Sequence, residues 1–355
     1  MSQRSVLIDG LKVVASQLIV LHHIVLYSPM AAVLAPACPA AMAFLGGEAR
    51  YVVQVFLVIG GFLAARSLSH VGSSLPRKLL ARYLRLAPML AVSLLAVLAA
   101  SALLPSGRWP EWVTPWPSPW DFLAHLLLLQ DVLHIPSLSA GAWYVSIDFQ
   151  LYALLAAAAA LLHRRGEQPV WRSPLSWAVA LLALASLFVF NRDAAFDAWA
   201  PYFFSAYGLG ALAAWAGRSR AMTWLFGLVW VLHLAVAGFE SRPRVALAAL
   251  TALALALALA QAGLAARAPG PGRVSRGLAY WGDASYGVFL IHYAVIVAAT
   301  ALWLHLGLGG PLAAIWMLAG CWVASLAAGA ALQRSVGVPL ARGRLSWTGR
   351  TGAGR

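Results

Sequence analysis

The chain has 355 residues, of which 62% are hydrophobic and only 10% charged, with a mean hydropathy of +0.79. That balance excludes an ordinary soluble domain, and apolar runs recur from end to end with short joins between them, the pattern of a polytopic membrane protein. A net charge of +14 would suggest nucleic acid in a soluble protein; here an excess of Lys and Arg in inner loops explains it, and no nucleic-acid partner is expected. Cys38 and Cys321 lie far apart in sequence, with nothing to mark a disulfide or a metal pair, so no metal site is expected.

About ten spans are predicted, at residues 6–27, 49–69, 83–104, 143–163, 175–191, 199–217, 223–239, 244–262, 279–302 and 311–333. The first reads VLIDGLKVVASQLIVLHHIVLY and carries Asp9, Lys12, His22 and His23. Eleven helical steps bring Lys12 and His23 to within roughly 20° of one face, about 16 Å apart along the axis. Ionisable groups inside a span cost a few kcal/mol each, so they are usually retained for function; end-anchoring plus a structural histidine is the plainer alternative. No small-residue cleavage site follows closely, so this segment reads as a retained helix.

With an inner N-terminus, every Lys and Arg falls inside except Arg50, Arg108, Arg192, Arg242 and Arg244. This predicts that both termini are cytoplasmic. The same count places the short apolar piece at 121–133 on the outer side, as an interfacial or re-entrant helix, because a full span there would invert everything after it. The preceding WPEWVTPWPSPW, residues 109–120, belongs at headgroup level and either lines an entrance for an outer substrate or only anchors the interface.

In the second span Gly60 and Gly61 remove side chains at mid-membrane and admit a helix or ligand. The basic stretch 76–88, PRKLLARYLRLAP, is read as an inner loop, either a topology signal or an anion site for the phosphates of a nucleotide-bearing donor. WYVSIDFQLY, residues 143–152, puts Ser146, Asp148 and Gln150 at the outer start of a span. Asp148 is the one acid placed well inside an apolar segment, to be paired with His23 or with an arginine. His233 reads as structural. Ser285 and His292 are seven residues apart and share a helix face. The chain from Arg334 on reads as a basic, mobile cytoplasmic tail.

Five strings now occur in the order typical of one family. IDGLKVVASQLIVLHH, VQVFLVIGGFL, RYLRLAP, WYVSIDFQLY and WGDASYGVFLIH resemble, over nearly the whole chain, the membrane-bound acyltransferase-3 family, which O-acylates bacterial surface and secreted glycans. Lys12 stands where the family usually has arginine, Gln54 where it has an acid, Gly60 where it has serine and Asp148 where it has glutamate. Lysine keeps the charge but not the planar fork.

The resemblance implies an all-α protein with an acyltransferase transmembrane domain over residues 1–333 and a tail over 334–355, in the bacterial cytoplasmic membrane. It also implies transfer of an acyl group, in the simplest case acetyl, from cytoplasmic acyl-CoA to a hydroxyl of a glycan or lipid-linked glycan. His23 is then general base or transient acyl carrier, supported by Asp148, with the donor held by Lys12, Arg82 and Arg85. Asp9, Ser146, Gln150, Tyr152, Ser285, Tyr286 and His292 are the supporting candidates. The C-terminal hydrolase-like domain of some members is not expected here, which leaves room for a separate periplasmic transferase as partner. The alternatives are a secondary transporter with a proton relay through Asp148 and the histidines, and a subunit that only passes acyl groups onward.

Overall fold

A computed structural model describes residues 6–68, 74–162, 174–264 and 272–341. Within them the chain is helical, without strands: α1 (Val6–Tyr27), α2 (Pro29–Leu34), α3 (Pro39–Gly46), α4 (Val53–Leu68), α5 (Leu75–Ser101), α6 (Pro119–Leu126), α7 (Ala142–Leu162), α8 (Pro174–Phe188), α9 (Ala200–Trp215), α10 (Arg220–Phe239), α11 (Pro243–Leu264), α12 (Arg273–His305) and α13 (Pro311–Leu332). Among the described residues nine helical segments are long and apolar enough to cross a membrane. The tenth expected span is α9, whose 16 residues give about 24 Å of helix, short of a bilayer core of about 30 Å. Its composition is nevertheless that of a central helix, since every residue from Phe204 to Trp215 is buried.

Three expectations change. The basic stretch 76–88 is no loop: α5 begins at Leu75 and runs through Pro88 without breaking. Helix α6 is shorter than the predicted 121–133, ending at Leu126, because Leu128 takes a left-handed φ of 60°, which a helix cannot continue through. Its start is well signalled: Ser118 and Asp121 form a reciprocal capping box. The stretch after Leu332 continues as a π turn, Gln333–Gly337, and stays helical to Ala341. The rest of the expected tail, 342–355, lies outside the described residues, as do Arg164, Arg165, Arg172 and Arg267 of the inner basic set.

The chain divides into two compact units. The first comprises Met1–Ala15, Tyr51–Arg82 and Ser146–Gly277. In it α9 is packed by α4, α8, α10 and α11. Helix α4 approaches α9 backbone to backbone: a Cβ on Gly61 would lie 1.8 Å from the Tyr207 carbonyl oxygen, and one on Gly210 2.0 Å from that of Val58. Only glycine fits there, so the glycine pair of the second span admits a helix.

The second unit comprises Ser16–Arg50, Tyr83–Val145 and Leu278–Arg355. Val20 and Ile24 of α1 form a core with Val288, Ile296 and Cys321. Helices α12 and α13 meet closely, with a Cβ on Gly287 falling 2.4 Å from the Gly329 carbonyl oxygen. The core contacts of Val20 and Ile24 bring the C-terminal half of α1 against the middle of α12.

Candidate active site

Because α1 is unbroken from Val6 to Tyr27, the helical spacing read from the sequence holds and His22 and His23 sit in its last two turns. Both are buried, and they do different things. His22 Nδ1 lies 2.7 Å from the Leu45 carbonyl oxygen, an ordinary donor to backbone. His23 Nδ1 lies 2.7 Å from His292 Nε2, with the two rings nearly parallel at 6° and centroids 4.9 Å apart. His292 is fully buried on α12.

A hydrogen bond between two imidazoles needs one N–H and one lone pair, so it restricts the tautomers. If His23 donates from Nδ1, its Nε2 carries a lone pair and is available as a base. His292 then holds its own proton on Nδ1, which faces the Val288 and Phe289 carbonyls of its preceding turn without a well-formed hydrogen bond. Two other histidines adopt that same pose with good geometry, His125 on Asp121 O at 2.7 Å and His233 on Val229 O at 2.8 Å. The opposite assignment would put His23's proton on Nε2 and remove the base.

Aromatic rings surround His23. Tyr27, one turn further along α1, has its ring centroid 5.6 Å away and packs in turn on Trp112 and Tyr293. The Tyr293 hydroxyl donates to the Trp112 carbonyl at 2.8 Å, which ties the proline and tryptophan loop to α12. None of these three was singled out from sequence, although Tyr27 stands at i+4 from His23, a spacing that puts two side chains in contact on a helix.

Asp148 has another partner. Arg82 donates to both of its carboxylate oxygens, at 2.7 and 2.5 Å, and the guanidinium lies 5.1 Å from the centroid of the Tyr152 ring. Of the two partners open to the acid, His23 or an arginine, the structure shows an arginine, and the hydrogen-bonding neighbour of His23 is a second imidazole. Arg82 also cannot sit in an inner surface loop while bonded to a carboxylate inside a span; it lies about 10 Å along α5, inside the helix. The pair is largely out of solvent, with side-chain exposures of 19% and 8%. Gly60 borders it: a Cβ there would be 3.6 Å from Asp148 Oδ1 and 3.2 Å from the Tyr207 ring. The Tyr207 hydroxyl is buried and makes no hydrogen bond. Nothing in the sequence flagged Tyr207, whose neighbours Ala206 and Gly208 are small and uninformative.

The supporting candidates separate by what they touch. Gln150 bridges backbone, donating to Ala198 O at 3.1 Å and accepting from Ala200 N at 3.0 Å, which fixes the start of α9. Ser285 donates to Gly282 O of its own helix, so it does not accompany His292 into the histidine pair. Tyr286 reaches Leu86 O at 3.4 Å, a long contact. Ser146 and Asp9 are buried. Lys12 is half-buried and Arg85 exposed.

These observations define a helical protein of many membrane-length segments with a buried imidazole pair on two of its helices. Residues 6–330 match the acyltransferase-3 family model, described as an acyltransferase domain, and the chain belongs to that family; it is a membrane acyltransferase. No curated protein and no solved structure matches it.

Proposed function

We propose that this acyltransferase moves an acyl group, in the simplest case acetyl, from acyl-CoA to a hydroxyl of a surface or secreted glycan, with His23 as general base. The observation that carries the reading is the 2.7 Å bond between His23 and His292. It occupies Nδ1 of His23 and leaves Nε2 to face substrate. The acceptor O–H gives its proton to Nε2, and its oxygen attacks the thioester carbonyl carbon. The new C–O bond forms, the C–S bond breaks, and the departing thiolate takes the proton back from His23. His292 acts as a positioning residue, holding the tautomer in which Nε2 is basic, as a hydrogen-bonded neighbour does for other catalytic imidazoles.

The donor's phosphates call for cations. Lys12 of α1 and the basic residues of α5, Arg77, Lys78, Arg82 and Arg85, are the candidates to meet them, Arg82 while also donating to Asp148. Lys78 and Arg85 are seven residues apart and lie near one face. The topology that places α5's start and both termini in the cytoplasm rests on the distribution of basic residues.

The test uses the purified protein in lipid nanodiscs, incubated with acetyl-labelled acetyl-CoA and glycans from the source cell. Label should appear on glycan with the native protein and vanish with His23→Ala, while the variant inserts and elutes normally. Near-native transfer by His23→Ala would end the assignment, and label retained on the protein alone would favour an acyl-passing subunit.

A further inference from the structure

Three of the five cations that the charge distribution leaves on the outer side, Arg192, Arg242 and Arg244, gather at one end of the first unit, where α8 and α10 stop and α11 starts. The positive-inside tendency disfavours cations on that side, so topology does not account for them. The framework that holds them is built in. The side chain of Asn191, in a 3₁₀ turn after α8, donates to the Tyr202 carbonyl at 2.8 Å and accepts from Arg242. The Asn191 carbonyl oxygen accepts from both Arg242 Nη2 at 3.1 Å and Arg244 Nη2 at 3.2 Å, so two guanidinium groups crowd one oxygen. Arg192 pairs with Glu240, whose other carboxylate oxygen lies 3.6 Å from Arg242.

This cluster is short of negative charge. Glu240 is its one carboxylate partner among the described residues. Asp193, on the same loop, accepts instead from Ala195 N, and Arg244 has the Asn191 carbonyl, the Tyr202 hydroxyl at 3.3 Å and the Tyr202 ring at 5.8 Å, all uncharged. Arg244 also stands in the first turn of α11, where the helix dipole repels a cation. Burial and then the Arg244 charge lower the pKa of Arg242, as expected of a cation set among cations.

We propose that this end of the first unit binds the phosphate of an anionic phospholipid. A guanidinium fork matches two phosphate oxygens, and the ends of membrane helices lie at the depth of lipid headgroups. The occupant is a lipid and not a soluble anion because the cluster borders uncovered apolar side chains. Phe239 precedes Glu240 and is 92% exposed, and Phe188 and Val189 precede the Asn191 turn at 42% and 58%. The acyl chains of a lipid whose phosphate is held by the arginines would cover them. The inference stands apart from the transfer reading and needs only the membrane placement.

Native mass spectrometry of the full-length protein in detergent, titrated with dioleoyl phosphatidylglycerol, dioleoyl phosphatidylcholine or glycerol phosphate, tests the proposal. The native protein should hold phosphatidylglycerol about tenfold more tightly than the zwitterionic lipid, the effect of a charge-assisted contact. Arg244→Gln should remove that preference, and Arg244→Lys, which keeps the charge but not the fork, should lose part of it. Phosphatidylglycerol should raise the melting temperature of the native protein and not that of Arg244→Gln, whereas loss of a merely structural arginine would lower the melting temperature and leave the lipid's effect intact. Arg108→Gln, on the second unit, should keep the native preference. Equal retention of the two lipids, a preference that survives intact in Arg244→Gln or Arg244→Lys, an equal loss in Arg108→Gln, or displacement of phosphatidylglycerol by an equal concentration of glycerol phosphate would overturn the proposal.

Discussion

Two pairs of ionisable side chains held largely out of solvent, one in each compact unit, differ in kind. Arg82 and Asp148 form a fixed ion pair, with two charge-assisted bonds at 2.7 and 2.5 Å and opposite charges that satisfy each other. His23 and His292 share a single bond at 2.7 Å between neutral rings, which leaves Nε2 of His23 with a lone pair when Nδ1 donates. The first arrangement commits both charges to each other; the second leaves a ring nitrogen able to take up a proton. A pair suited to holding structure and a pair suited to chemistry therefore differ less in residue cost than in whether their protons have somewhere to go.

The largest expected effect separates the two directly. His23→Ala should lower transfer by about 10²–10⁴-fold, the usual contribution of a positioned base, with a smaller fall in melting temperature than loss of the ion pair gives. Asp148→Ala should instead act on stability, costing about 3–5 kcal/mol because it removes the carboxylate that takes both bonds from the Arg82 guanidinium, visible as a large fall in melting temperature in detergent. The double variant Arg82→Met, Asp148→Leu should recover most of that loss. If it also recovers transfer, the ion pair is purely structural; if it folds and stays inactive, the pair has a further role.

A milder change sharpens the histidine side. His292→Gln keeps a hydrogen-bonding group near His23 Nδ1 but no longer enforces one tautomer. It should cost about tenfold in kcat with donor KM unchanged and displace the pH profile of transfer, a displacement that a packing defect would not produce.

His125 serves as the immobile counterpart. It is held at both ends, Nδ1 donating to Asp121 O at 2.7 Å and Nε2 accepting from Leu138 N at 3.1 Å, and burial lowers its pKa from 6.5. Below the unfolded value the open segment takes a proton that the closed one refuses. Closure should therefore weaken as pH falls through about 6.5, by up to about 1.4 kcal/mol per pH unit until the folded pKa is reached. Amide exchange at Leu138, followed from pH 8 to 5, should accelerate accordingly. The smallest effect is expected for Gly60→Ser: its hydroxyl would come within reach of Asp148 Oδ1, the Tyr207 ring need yield only a few tenths of an ångström, and stability should shift by less than about 1 kcal/mol.

Much of the architecture was legible because bilayer length and helix rise convert an apolar run directly into a span. Even α9, with 16 residues, was readable as an element, since its small and aromatic residues left no charge to place. The basic start of α5 was misread for the opposite reason. Four cations in thirteen residues look like a loop, and only a carboxylate on another helix makes a guanidinium tolerable deeper in. Helix α6 was overextended because an apolar run does not reveal a left-handed residue at Leu128.

The sequence by itself determined the helical class, the spans, the family's ordered strings and His23 as the residue worth testing. These follow from local hydropathy and from spacing along one helix. Only tertiary structure decided which groups meet. His292 is 269 positions from His23 and Arg82 is 66 from Asp148, and no periodicity spans such separations. The partners are chosen by helix packing, as where Val20 and Ile24 of α1 meet Val288 and Ile296 of α12.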